Sequence, residues 1–162
     1  MRRAAVRMGL AALAMASTSG MAHAPQGSTP PAASIAPAAR TAAAVVEAFH
    51  AALERGDTKA AAALLSDDVL IFEGGGAERS KAEYTAEHLP ADAEFAKATA
   101  ATVEWRSGRA AGPAAWITSE GRTTGEFRGR PVNSRTTETM VLVRGSAGWK
   151  IMHIHWSSAA AR

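Results

Sequence analysis

His153 and His155 stand two residues apart in the run Trp149 to Ser157 near the C-terminus. If that run is a strand, its side chains alternate between faces. Trp149, Ile151, His153, His155 and Ser157 then share one face, and Lys150, Met152, Ile154 and Trp156 the other. Strand rise sets the two imidazoles about 6–7 Å apart, a separation that can chelate a metal ion. Upstream, Tyr84, His88, Ala91 or Asp92, and Phe95 recur at helical spacing, and Glu73 closes a strand-like run. His88, His153 and His155, joined by Glu73 or Asp92, form a donor set suited to zinc, nickel or copper(II). No linear metal motif links them. Glu73, Tyr84, His88, Asp92, His153 and His155 read equally as the wall of a ligand pocket. His50 sits beside the apolar stripe of a helix and reads as structural.

Acid–base chemistry is the other option. Glu120 and Glu138 lie inside runs otherwise rich in Thr and apolar residues. Partial burial would move a His or Glu toward neutrality and make it a general base. Alternation alone does not decide which face either glutamate takes. Cross-strand ion pairs with Arg122, Arg135 or Arg144 on the outer face are the competing role. Arg122, Arg128, Arg130 and Arg135 gather round the turn at residues 125–131, either to select an anion or as a solvated hairpin tip.

These residues need elements to hold them. Thr41 to Arg55 carries Val45, Val46, Phe49, Ala52 and Leu53 at helical spacing, and Gly56 stops it. Asp57 caps a second short helix over 58–65, and Val69 to Glu73 reads as a strand running into the Gly74-Gly75-Gly76 turn. Ser80-Lys81-Ala82-Glu83 is a capping box that opens a third helix, which Pro90 breaks or kinks near Leu89. Strands are expected over 99–106, 114–124, 135–144 and 149–157, with Gly and Pro between them. This order makes an α+β domain.

The N-terminus has a different character. Arg2, Arg3 and Arg7 precede an apolar run of about nine residues and then small residues, which is the pattern of a secretory signal over 1–24. Residues 25–39, rich in Pro, Ala and Ser, read as a flexible spacer before a domain at 40–158. The chain has 18 Lys and Arg, 15 Asp and Glu, and a sequence pI near 9.8. The three leader arginines account for the whole excess, so the basic pI does not point to nucleic acid. Residues 40–106 are acidic and residues 107–162 basic. With no cysteine there is no thiol or disulfide chemistry.

The stretch "VVEAFHAALERGDTKAAAALLSDDVLIFE" and the ending "GWKIMHIHWS" together resemble the SnoaL-like group of the nuclear-transport-factor-2-like superfamily, over Thr41 to Ser157. The resemblance implies a cystatin-like cone: three N-terminal helices packed on a strongly curved, mostly antiparallel sheet with an internal pocket. It implies no particular reaction, since members include isomerases, cyclases, dehydratases, binding proteins and scaffolds. Steroid-isomerase-like members pair a carboxylate base with tyrosine and aspartic-acid donors. Tyr84 is the only tyrosine here, and no match to that constellation is evident.

The expectation is an exported, periplasmic or secreted protein that binds a small molecule in a His/Glu-containing pocket. The alternatives are an isomerase, dehydratase or cyclase with a His or Glu base, and a metal-binding protein using His88, His153 and His155. A divalent transition metal is the one candidate cofactor. The Met152, Ile154 and Trp156 face, if outward, calls for a homodimer through the sheet.

Overall fold

The computed structural model describes residues 32–161. The expected export segment and the spacer up to residue 31 lie outside the described residues. Helices α1 (Arg40–Glu54) and α2 (Thr58–Ala63) come first, then strands β2 (Leu65–Glu73) and β3 (Gly76–Glu78), after a two-residue β1 (Ser34–Ile35). Helices α3 (Lys81–Glu87) and α4 (Leu89–Ala98) precede four long strands, β4 (Thr99–Ala111), β5 (Ala114–Phe127), β6 (Arg130–Gly145) and β7 (Gly148–Ala160). The seven strands form one sheet in the order β1-β4-β5-β6-β7-β2-β3. It is mixed: β1 with β4 and β2 with β7 run parallel, and the other pairs antiparallel.

Local chemistry explains most boundaries. Asp57 accepts a hydrogen bond from the Ala60 amide at 2.9 Å, capping α2. Ser80 accepts from the Glu83 amide at 3.1 Å, and Glu83 reaches back to the Arg79 amide at 2.7 Å. The expected third helix is two helices. His88 closes α3 and Pro90 lies in the first turn of α4, where its missing N–H costs nothing. Part of the expected spacer is ordered. Ile35 packs on the core, and the Ala36 amide donates to the Gly108 carbonyl at 3.0 Å.

The helices cover one face of the sheet. Val46, Phe49 and Leu53 of α1 meet Ile117, Met140, Leu142, Ile151 and Ile154 in a single apolar core. Two β-bulges decide what else reaches that face. In β4, Val103 pairs with Gly121 but Trp105 pairs with Glu120, so Glu104 is an extra residue. In β7, Ile151 pairs with Leu142 but His153 pairs with Val141, so Met152 is extra. Each bulge inverts the alternation beyond it.

The second bulge overturns the expected faces of β7. Trp149 and Ile151 face the helices, but beyond Met152 so do Ile154 and Trp156. His153 and His155 turn to the open face instead, where both rings meet Phe72 edge-on. Ile154 is fully buried, so the outward Met-Ile-Trp stripe that called for a dimer does not form.

Candidate functional site

A cavity of about 440 Å³ lies between α1, α4 and the helix-covered face of the sheet. Its polar floor is one transverse row. Arg106 pairs with Ser119, Ser119 with Glu138, Glu138 with Trp156, and Trp156 with Glu73, so five strands contribute one residue each. All five line the cavity. Arg106 and Trp156 reach the row only because of the bulges at Glu104 and Met152. Ala51, Leu53, Phe95, Ala96 and Val103 supply apolar wall.

Glu138 is the centre of the row, with its side chain only 9% exposed. Its Oε2 accepts from Trp156 Nε1 at 2.7 Å and lies 2.8 Å from Nε2 of His50, which α1 lowers onto the sheet. Its Oε1 is buried and has no hydrogen-bond partner among the described residues. Burial pushes this carboxyl up, but His50, the Trp156 N–H and the Arg106 charge together outweigh it and hold the group below its ordinary value. It is therefore an ionised carboxylate with one oxygen fixed and the other unused. Arg106 donates through Nε to Ser119 Oγ at 2.9 Å, and its Nη1 lies 3.6 Å from Glu47 on the rim.

A second acidic group sits where α4 and the end of β2 meet the cavity. Buried Tyr84 donates to Asp92 Oδ2 at 2.7 Å. Desolvation raises Asp92 above its ordinary value, with Glu78 adding to the rise, and Tyr84 and His88 only partly offset it. Glu73 is also raised, first by desolvation and then by the charges of Asp92 and Glu78. The Tyr84 hydroxyl is pushed up strongly by its burial and by Asp92. The cavity thus holds carboxyls of opposite tendency: Glu138 kept ionised, Asp92 and Glu73 leaning toward their protonated forms.

A model of the SnoaL-like domain matches residues 42–161. The chain belongs to the SnoaL-like domain family. Its fold recurs among solved structures described as NTF2-like or as having a cystatin-like fold. A candidate ketosteroid isomerase from Shewanella frigidimarina is 38% identical, with 72% of this chain and 94% of that chain aligned and a TM-score of 0.69. A candidate dehydratase of the NTF2-like family from Streptomyces avermitilis is 19% identical, covering 76% of this chain and 97% of that one at a TM-score of 0.67. A candidate calcium/calmodulin-dependent protein kinase II association domain from Xanthomonas campestris is 18% identical, covering 80% and 95% at a TM-score of 0.65. These last two likenesses concern the fold alone. No curated protein matches.

Within this SnoaL-like domain the residues singled out from the sequence separate. Glu73 and Asp92 line the cavity, and Tyr84 stands behind Asp92. His88 is exposed and paired with Glu78. His153 and His155 do not line the cavity. The Nδ1 of His153 lies 2.8 Å from the Leu70 carbonyl oxygen, so that nitrogen carries the proton, and His155 is exposed. Among the described residues no three His, Asp or Glu side chains are placed to hold a metal ion, so His88, His153 and His155 form no ligand set. The reason is the Met152 bulge, which sends the histidine pair to the open face.

His50, expected to be structural, lines the cavity and contacts the buried carboxylate. Glu138 faces inward and pairs with none of Arg122, Arg135 and Arg144: His50 lies against it, and Arg106 acts on it only through its charge. Glu120 is exposed on β5 beside the buried Ser119 and also contributes to the cavity lining. The signal available was Gly121. A glycine inside a strand marks a bulge or a close backbone approach, and a Cβ there would collide with the Thr102 carbonyl oxygen.

Proposed function

We propose that the protein binds a small, largely apolar molecule in this cavity and moves a proton on it, with Glu138 as the base. The observation that carries this reading is Glu138 Oε1, a buried carboxylate oxygen on the cavity wall with no protein donor. An unsatisfied buried acceptor is costly to keep, and a proton-bearing ligand atom is the partner it lacks. His50 and Trp156 fix the other oxygen, which leaves Oε1 as the free lone-pair site. The reading agrees with the name given to the Shewanella frigidimarina relative. In this view the helices and sheet enclose the ligand as the family's cone would.

Binding without turnover is the second reading, favoured by the apolar walls. One assay separates the two. Cyclic enones and ketones are incubated with the protein in deuterium oxide, and incorporation beside the carbonyl is followed by proton NMR. The expected result is exchange that Glu138→Gln slows by roughly a hundredfold or more. Enones that bind yet exchange no faster than in buffer would leave a binding protein only.

We propose further that the protein is exported and that it self-associates. Export through the N-terminal segment would be tested by mass spectrometry of the mature N-terminus. Self-association through the open face, where Trp116 and Phe72 are exposed, would be tested by sedimentation velocity.

A further inference from the structure

An unbroken alternation from Thr99 would aim Trp105, not Arg106, at the helices. The Glu104 bulge reverses this and sets Arg106 opposite Ser119, two strands from Glu138. Adjacent strands lie about 4.8 Å apart, so the two backbones are roughly 10 Å apart. The only side chain between them in the row is the short Ser119. Among the described residues Arg106 has one anionic partner within 4.0 Å, and it is Glu47, not Glu138. That pairing does not account for the guanidinium's placement. The Glu47 side chain is 66% exposed while that of Arg106 is 17% exposed, and an ion pair open to water on one side contributes little. A mostly buried guanidinium has donors to spend, and it stands across a gap from a carboxylate oxygen with none to receive.

We infer that Arg106 is the electrophilic residue of the site, and that the substrate is an uncharged, enolisable carbonyl compound held between Arg106 and Glu138. This rests on the reading of Glu138 as the base. The C–H bond beside the carbonyl breaks and its proton forms an O–H bond at Glu138 Oε1. The electron pair moves to the carbonyl oxygen, which becomes an enolate facing the guanidinium. Reversal returns the proton to the same carbon or to a conjugated one, so no oxidant, reductant or co-reactant is needed. An oxygen that gains charge only as the proton leaves is where a fixed cation acts most strongly. A substrate already anionic would meet Glu138 and the other cavity carboxyls and be disfavoured.

The test uses para-nitrophenol, whose phenolate resembles an enolate and differs in colour from the neutral phenol. It is run in Glu138→Gln, where the amide stands for the base after it has taken the proton. The expected result is that the bound phenol ionises at lower pH than the free one. Adding Arg106→Gln should abolish that shift and weaken phenolate binding by roughly tenfold to a hundredfold. Binding of uncharged para-nitroanisole should stay within about twofold. Arg106→Lys, which keeps the charge, should retain part of the shift, and Glu47→Gln should leave it in place. An ionisation shift that survives Arg106→Gln, or is lost equally in Glu47→Gln, overturns the inference. The base reading fails separately, in the deuterium-exchange assay.

Discussion

His50 on α1 and Glu138 on β6 meet inside the domain, imidazole Nε2 to carboxylate Oε2 at 2.8 Å. The contact is polar but is framed by apolar packing. Phe49, the residue before His50, stacks on Trp156 with ring centroids 6.4 Å apart, and Trp156 donates to the same carboxylate oxygen. Helix, sheet and buried charge are therefore joined at one point.

Removing His50 should raise the pKa of Glu138. Burial pushes that carboxyl up, and His50 is foremost among the groups that pull it down. A depressed folded pKa means stability that is present above the unfolded value of about 4.3 and lost as pH falls through the folded value. His50→Ala should move that loss to higher pH and lower stability near neutrality by about 1–3 kcal/mol. Carbon-detected NMR titration of the Glu138 carboxyl reads the shift directly, and an unchanged midpoint would count against it.

Trp156→Phe keeps an aromatic ring against Phe49 but deletes the N–H that reaches Glu138. A hydrogen bond to a charged, buried acceptor makes the expected cost about 1.5–3 kcal/mol in urea unfolding. A loss of only a few tenths would show that water replaces the indole donor.

Asp92→Asn should stabilise the protein at neutral pH. Asp92 is raised by desolvation, so holding it ionised opposes folding above its folded pKa, and the opposition fades as pH falls through that value. The amide oxygen can still accept from Tyr84. Melting temperatures should exceed wild type at pH 8, by about 0.5–1 kcal/mol in free energy, and converge with it under acid conditions. A variant less stable at both ends would mean that Tyr84 needs the charge.

Gly121→Ala tests the β4 bulge. The added Cβ meets the Thr102 carbonyl, and the backbone of a paired strand cannot move aside cheaply. Destabilisation of about 1–3 kcal/mol is expected by thermal melting, together with weaker Arg106-dependent binding of para-nitrophenol in the Glu138→Gln background. An Ala variant that melts like wild type would show that the strand slides to accommodate it.

His155→Ala should do little. The side chain is exposed on the face away from the cavity, so stability should stay within about 0.5 kcal/mol and para-nitroanisole binding should be unchanged. Lost binding in this variant would restore the histidine pair to the site.

The helices, their caps, the break in the third helix and the positions of the long strands were legible from residues, because each rests on local chemistry, and the family was legible from two motifs. Asp57 and Ser80 bond within three residues of themselves, Pro90 acts on its own turn, and helical spacing shows in the next turn. The floor of the cavity was not legible. Strand alternation holds only while the register is unbroken, and the single extra residues at Glu104 and Met152 are defined by the strands beside them. Val103 with Gly121 and Trp105 with Glu120 in one case, and Leu142 with Ile151 and Val141 with His153 in the other, set where each bulge falls, through pairings that join distant parts of the chain. Those two slips turned His153 and His155 outward and brought Arg106 and Trp156 in. His50 could be given a role only once α1 was laid across Glu138. Residue types therefore determined the elements, and the register between strands decided which of their side chains meet.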